Sequence, residues 1–204
     1  MVMKDNPPTI KNGTVPPKSV PYDQKRPREY LTPHEVQELI SVAKRRGRHG
    51  HRDSTMILMA FRHGLRVSEL CALRWEQVDF DMGVLHVRRM KKGMPSVHPL
   101  QGPQLRALRR LKRDSIQSSY IFVTERGSPF TAAGFRKLLS RISELSSLPF
   151  SVHPHMLRHA CGYKLVNDGH DVRAIQHYLG HRNIQHTVRY TELASGSFNE
   201  FWKD

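Results

Sequence analysis

The sequence predicts a mainly α-helical fold carrying one small antiparallel β-sheet. Three observations predict it. Apolar residues recur at helical spacing in several windows, most of them opened by a capping residue. The period switches to two over one short stretch, where Val84, His86 and Arg88 alternate with Leu85, Val87 and Arg89. A turn-like Lys91-Lys92-Gly93-Met94 then leads into Val97-His98-Pro99-Leu100, which can return as the partner strand.

Taken in order, the first helix opens at Thr32. Thr32-Pro33-His34-Glu35 is a capping box with Pro33 at the first helical position, and Val36, Leu39, Ile40 and Ala43 form its buried stripe. Lys44, Arg45, Arg46, Arg48 and Arg52 crowd the loop that follows. A second helix is expected from Asp53 to His63, closed by Gly64 in a left-handed conformation. Ser68 is expected to cap a third helix carrying Leu70, Cys71 and Leu73. After the hairpin, Pro103 starts a basic helix with Leu105, Leu108 and Leu111 inside, and Ile121-Phe122-Val123 reads as a third strand. Thr131 can cap a helix through Phe135, Leu138, Leu139 and Ile142. Three helical stretches near 155–168, 172–179 and 184–192 follow Pro149 and Pro154.

This gives one folded domain over residues 31–192. Residues 1–30 hold Pro7, Pro8, Pro16, Pro17, Pro21 and Pro27, a density that favours an extended, solvated tail. In the segment 193–204, Phe198, Phe201 and Trp202 share one helical face that can dock on its own core or on a neighbouring subunit.

Composition narrows the partners. The chain has 204 residues, with 33 Lys and Arg against 18 Asp and Glu, a formal charge of +15. A compact domain this basic is suited to a polyanion, nucleic acid foremost. The loop at 44–52 and the helix at 105–113 are candidate backbone contacts. No apolar run approaches the ~18–20 residues of a membrane span. An acidic membrane surface comes second to nucleic acid, because no single helix is basic on one face and richly apolar on the other, so no membrane partner is expected. Two cysteines cannot staple a secreted scaffold or fill a four-cysteine zinc site.

Several of the 13 histidines stand in notable company. His155 and His159 are four apart, as are His177 and His181, a spacing that raises the question of zinc. Arg158 and Arg182 argue against it, because a fixed cation disfavours a neighbouring dication. A phosphate diester suits the residues better. His155 and Arg158 lie three apart at a helix start, and a guanidinium binds a diester with two parallel hydrogen bonds. Leu179-Gly180-His181 presents a histidine just beyond a helix end, Tyr190 follows nine residues later, and Arg66 sits in a tight junction between apolar helices. Singly, each has a structural reading: Arg66 as an ion pair with Glu69, Tyr190 as an aromatic at the core edge.

Together they form four motifs in order: G-L-R-V-S-E-L at 64–70, the Lys91-Lys92-Gly93 hairpin, H-P-H-M-L-R-H at 153–159, and L-G-H-R-N-I-Q-H-T-V-R-Y-T at 179–191. In these, over about residues 30–192, the chain resembles the tyrosine recombinases, the phage-integrase-type site-specific recombinases. The resemblance implies a tyrosine-recombinase catalytic-domain fold and a catalytic set of Arg66, Lys91, His155, Arg158, His181 and Tyr190. Tyr190 would attack a DNA phosphodiester to form a 3′-phosphotyrosyl link. Arg66 and Arg158 would clamp its non-bridging oxygens. His155 and His181 would hydrogen-bond the phosphate, with His155 also taking the Tyr190 proton, and Lys91 would protonate the leaving 5′-oxygen. Two arginines and a base should favour the ionised phenol. His153, His159 and His186 are expected to pack or hydrogen-bond rather than to react.

The same resemblance implies double-stranded DNA as partner, no metal or other cofactor, a homo-tetramer on DNA joined through the C-terminal segment, and the bacterial cytoplasm at the nucleoid. Most members of the family carry a further DNA-binding domain ahead of the catalytic one. The thirty-residue tail in its place should weaken DNA binding and flatten its salt dependence. This plan is similar to the short recombinases that invert fimbrial promoter segments. The alternatives are an integrase of a mobile element, a non-cutting DNA-binding regulator with the same fold, and a metal-dependent hydrolase built on the histidines.

Overall fold

The computed structural model describes residues 29–89, 94–114 and 117–192. Most of the proline-rich segment, the Lys91-Lys92-Gly93 turn, and Phe198, Phe201 and Trp202 lie outside the described residues. Eight helices are described: α1 (Pro33–Arg45), α2 (Gly50–Arg62), α3 (Val67–Cys71), α4 (Gly102–Asp114), α5 (Ala132–Glu144), α6 (Pro154–Asn167), α7 (Val172–Leu179) and α8 (Gln185–Glu192). Three strands, β1 (Val78–Asp79), β2 (Val84–Val87) and β3 (Ser96–Pro99), form one antiparallel sheet in that order. Among the described residues no helix is long and apolar enough to cross a membrane.

The Thr32 capping box forms as expected: the Glu35 N–H donates to Thr32 Oγ1 at 3.3 Å, and Thr32 N donates to Glu35 Oε2 at 2.7 Å. Val36, Leu39, Val42 and Ala43 bury against α2. The chain docks earlier than Thr32, however. Leu31 is buried, the Tyr30 ring packs tilted against Tyr163 with centroids 3.9 Å apart, and Glu29 pairs with Arg189 at 3.3 Å.

Two helix starts differ from expectation. α2 begins at Gly50 rather than at Asp53, whose carboxylate is buried against Arg52 at 2.8 Å, already inside the helix. α3 begins at Val67, with Arg66 at the capping position. The exposed Arg66 N–H is satisfied by the Glu69 carboxylate at 2.9 Å, so Ser68 is not needed as a cap.

The β2–β3 hairpin is in the expected place, with Leu85 opposite His98 and Val87 opposite Ser96. Residues 121–123 are not its third strand. Ile121 N donates to Leu73 O and Phe122 O accepts from Phe130 N, each at 2.9 Å, and Val123 makes only an isolated bridge to Pro129. The apolar run exists because Ile121 and Phe122 are core residues of a buried connector. The third strand is β1, paired Val78 to Leu85, whose two residues are too short to show a period.

Helix α6 organises the C-terminal half. It touches α1, α2, α5, α7 and α8 and is buried nearly all round through its first ten residues. A helix so placed needs no amphipathic stripe, and α6 has none. It brings one charged side chain, Arg158, into the core, and that side chain must be fully partnered. By contrast, α4 keeps its cations at the surface, where Lys112 lies over the Phe80 ring at 5.1 Å and Arg110 pairs with Asp114 at 3.2 Å.

Candidate active site

The site is assembled by two left-handed glycines and one buried arginine. Gly64, at φ +55°, turns the chain from α2 into α3, and a Cβ there would lie 2.3 Å from Leu179 Cδ2. Gly180, at φ +67°, ends α7. The two turns therefore meet, and Arg158 fastens them. Its guanidinium donates to Gly64 O through Nη1 and to Leu179 O through Nη2, the latter at 2.7 Å. Arg66 and His181 are each two residues beyond those carbonyls. Arg158 is 1% exposed, and burial, with the Arg66 and Arg89 charges, lowers its pKa to about 10. It remains a cation near neutral pH.

Arg66 is partly open, with 34% of its side chain exposed. Its Nη1 donates to Glu69 Oε1 at 2.8 Å, and Glu69 Oε2 accepts from the fully buried Arg89 at 2.9 Å. Burial alone would raise the Glu69 carboxyl, but the Arg66 N–H and the Arg89 charge outweigh it and hold the pKa below the usual range. The ion pair with Glu69 is thus real, and it leaves Arg66 at the rim of a cleft of about 500 Å³. That cleft is lined by Leu65, Arg66, Val67, Ser68, Ala132, Arg136, His153, Pro154 and His155. Arg136 and Ser68 were not read from the sequence as site residues. Ser68 lies in the 64–70 motif, where the sequence marks it only as a cap; nothing local marks Arg136, because α5 reaches the cleft only through the fold.

His181 is 8% exposed, and its Nδ1 lies 2.9 Å from Thr187 Oγ1. Burial, then the Arg158 and Arg66 charges, lower its pKa to about 3. His155 is exposed at the cleft and is also lowered, by desolvation and the same two arginines.

Tyr190 lies on α8 with its ring against Gly162 of α6, where a Cβ would sit 2.5 Å from the ring. It is 3% exposed. Its hydroxyl is 3.1 Å from His159 Nδ1, not on His155, whose ring instead meets His159 edge-on at 4.3 Å. The four-residue spacing of His155 and His159 contained that signal: both rings lie on one face, and the inner one reaches the phenol. Nor is the phenol primed to ionise. Burial outweighs the Arg158 charge and raises its pKa to about 12.

The Arg66 charge acts on Arg158, His155, His181 and Tyr190 alike, so these five residues, from α6, α8, the start of α3 and the turn after α7, share one electrostatic neighbourhood. Lys91 lies outside the described residues. Among the described residues no group of three or more His, Cys, Asp or Glu could hold a metal ion.

A helical scaffold that converges two arginines, two histidines and a tyrosine defines a class. The phage integrase family matches residues 29–196, and the chain belongs to that family, a tyrosine-type enzyme of DNA strand transfer. Within it, the chain is 38% identical over 180 residues to the type 1 fimbriae regulatory protein FimB of Escherichia coli (strain K12), covering 86% of this chain and 90% of the relative. It is 40% identical over 182 residues to the regulatory protein FimE of the same strain, covering 86% and 91%. Among solved structures it superposes on the crystal structure of XerA recombinase with a TM-score of 0.73 at 26% identity, over 84% of this chain and 62% of that one.

Proposed function

We propose that this protein cuts and rejoins DNA at specific sites through a phosphotyrosyl link on Tyr190, inverting a segment that controls a fimbria-type surface structure. The observation that carries the reading is the Arg158 fastening: one guanidinium joins the turns that deliver Arg66 and His181, so a diester seated there would meet both arginines and the histidine. Fixed cations stabilise the charge that gathers on the non-bridging oxygens in phosphoryl transfer. In the step itself, Tyr190 Oη bonds to phosphorus, its proton passes to His155, and the 5′-oxygen leaves with a proton from Lys91. No metal or other cofactor enters. The inversion role follows the likeness to FimB and FimE, whose names place them in regulation of type 1 fimbriae. A solved structural neighbour, the Tn1549 transposon integrase, is in complex with a circular intermediate DNA, which supports DNA as partner. The C-terminal segment would join four copies on two DNA sites in the bacterial cytoplasm.

The burial of Tyr190 favours one second reading, a regulator that binds DNA without cutting it. Nicked duplexes of randomised sequence separate the two. The enzyme traps itself covalently on a subset, in the presence of EDTA, and Tyr190→Phe abolishes the adduct. Binding that enriches sequences without any covalent adduct would establish the regulator instead.

A further inference from the structure

His181 is held at three atoms. Its N–H donates to Gln176 O at 3.0 Å, and its carbonyl accepts from Gln176 Nε2 at 3.0 Å. The same amide reaches Arg182 O at 3.3 Å, so Gln176 fixes the backbone on both sides of the residue. The third hold is on the ring, where Nδ1 meets the hydroxyl of Thr187 at 2.9 Å. Thr187 is 0% exposed. Because burial and the Arg158 and Arg66 charges keep the imidazole neutral near pH 7, one ring nitrogen carries hydrogen and the other does not.

Thr187 decides which. A threonine hydroxyl has one proton to donate. Thr191, one turn later, gives its proton to Val188 O at 2.6 Å. The Thr187 hydroxyl has His181 Nδ1 as its one hydrogen-bond partner among the described residues. Were Nδ1 protonated, the hydroxyl would accept and its own proton would be stranded in the core, which buried polar groups rarely tolerate. The hydroxyl therefore donates, and the ring hydrogen sits on Nε2. We infer that Thr187 is a positioning residue, which by donating to Nδ1 locks His181 in the tautomer whose Nε2–H can donate to a phosphate oxygen. This rests on the reading above, in which His181 meets the diester. A non-bridging oxygen only accepts, so the other tautomer would set a lone pair against it.

The test is a long-range proton–nitrogen correlation spectrum of the 15N-labelled full chain at pH 7, with His181 assigned by its loss in His181→Gln. Nδ1 should resonate as an unprotonated nitrogen and Nε2 as a protonated one. Thr187→Val keeps the shape without the donor and should mix the two tautomers, while Thr187→Ser should retain the wild-type pattern. On nicked duplexes recovered by the covalent selection, Thr187→Val should form adduct about tenfold more slowly at unchanged DNA affinity, with Thr187→Ser within about twofold of wild type. A protonated Nδ1 in the wild-type protein, or a valine variant with an unchanged spectrum, overturns the assignment. Should the valine variant fail to fold, the wild-type spectrum alone decides. Wild-type cleavage by His181→Gln would remove His181 from the phosphate and the catalytic half of the inference with it, while the spectrum still judges the Thr187 donation.

Discussion

The hydroxyl of Tyr190 lies 3.1 Å from Nδ1 of His159, and neither partner is set to ionise. Burial raises the phenol to about 12; burial, His155 and Arg158 lower the imidazole to about 3. Moving the proton between them is uphill, because burial disfavours the charged form of each. His159 thus stores Tyr190 rather than activating it, and attack on a bound diester requires that hydrogen bond to be given up.

His159→Phe keeps a ring in place and removes the acceptor. A typical intramolecular hydrogen bond contributes about 0.5–1.5 kcal/mol, so the variant should form covalent adduct about 2- to 10-fold faster in single turnover. A variant slower than wild type by more than about tenfold would show that His159 takes part in activation instead.

Gly162 is the floor of the slot in which Tyr190 rests. Gly162→Ala drives a methyl to within 2.5 Å of the phenol ring and should destabilise the fold by about 1–3 kcal/mol, as overpacking does. In a Tyr190→Ala background the clash is gone, and glycine to alanine inside a helix should then stabilise by about 0.5–1 kcal/mol. Urea unfolding of the four proteins reads this reversal of sign. Equal effects in both backgrounds would show that the ring does not occupy the slot in solution.

The two arginines should separate in the same experiment. Arg158 holds two carbonyls with one planar fork, which an ammonium cannot reproduce. Arg158→Lys should cost about 1–3 kcal/mol of stability, by stranding a buried carbonyl. It should also slow adduct formation by about 10²–10³, as loss of one charge-stabilising donor does. Arg66, partly open to solvent, should lose comparable activity on change to Lys while stability moves by less than about 1 kcal/mol. Equal destabilisation by both would contradict the structural role given to Arg158.

What the sequence disclosed was local. Thr32, Pro33 and Glu35 announce a helix start because the cap lies within four residues. Gly64 and Gly180 announce helix ends because their dihedral angles favour glycine. The arginines, histidines and tyrosine of the site were legible as residue types suited to a diester, and the fold brings those described into one field. The start of α2 was not legible: Gly50 to Arg52 read as part of the basic loop, although the helix already begins at Gly50. The partners of Tyr190 and Arg89 were not legible either. His159 is 31 residues from Tyr190, and Arg89 is 20 residues from Glu69. Such pairings are decided by packing, which no period records. Arg136 reaches the cleft on the same terms.

Four buried imidazoles give the fold a specific response to acid. Burial is the first cause in each, and it lowers His63, His159 and His181 to about 3 and His98 to about 2. His63 and His98 also share a contact at 3.3 Å between their Nδ1 atoms, so one proton there opposes the next. In the unfolded chain a histidine titrates near 6.5, so between about pH 6.5 and 3 the unfolded state binds protons that the folded state refuses. Stability is therefore full above pH 6.5 and falls as the pH drops through this window. Asp53, whose carboxyl burial raises, acts in the opposite sense, against these four and the likewise lowered His155. Most carboxylates titrate below about pH 5, so the interval from 6.5 to 5 isolates the histidines. Unfolding free energy from urea titrations should fall by on the order of 5 kcal/mol across it. A flat profile there would mean that these rings are already charged or solvated in the folded protein, and the neutral His159 that stores Tyr190 would go with them.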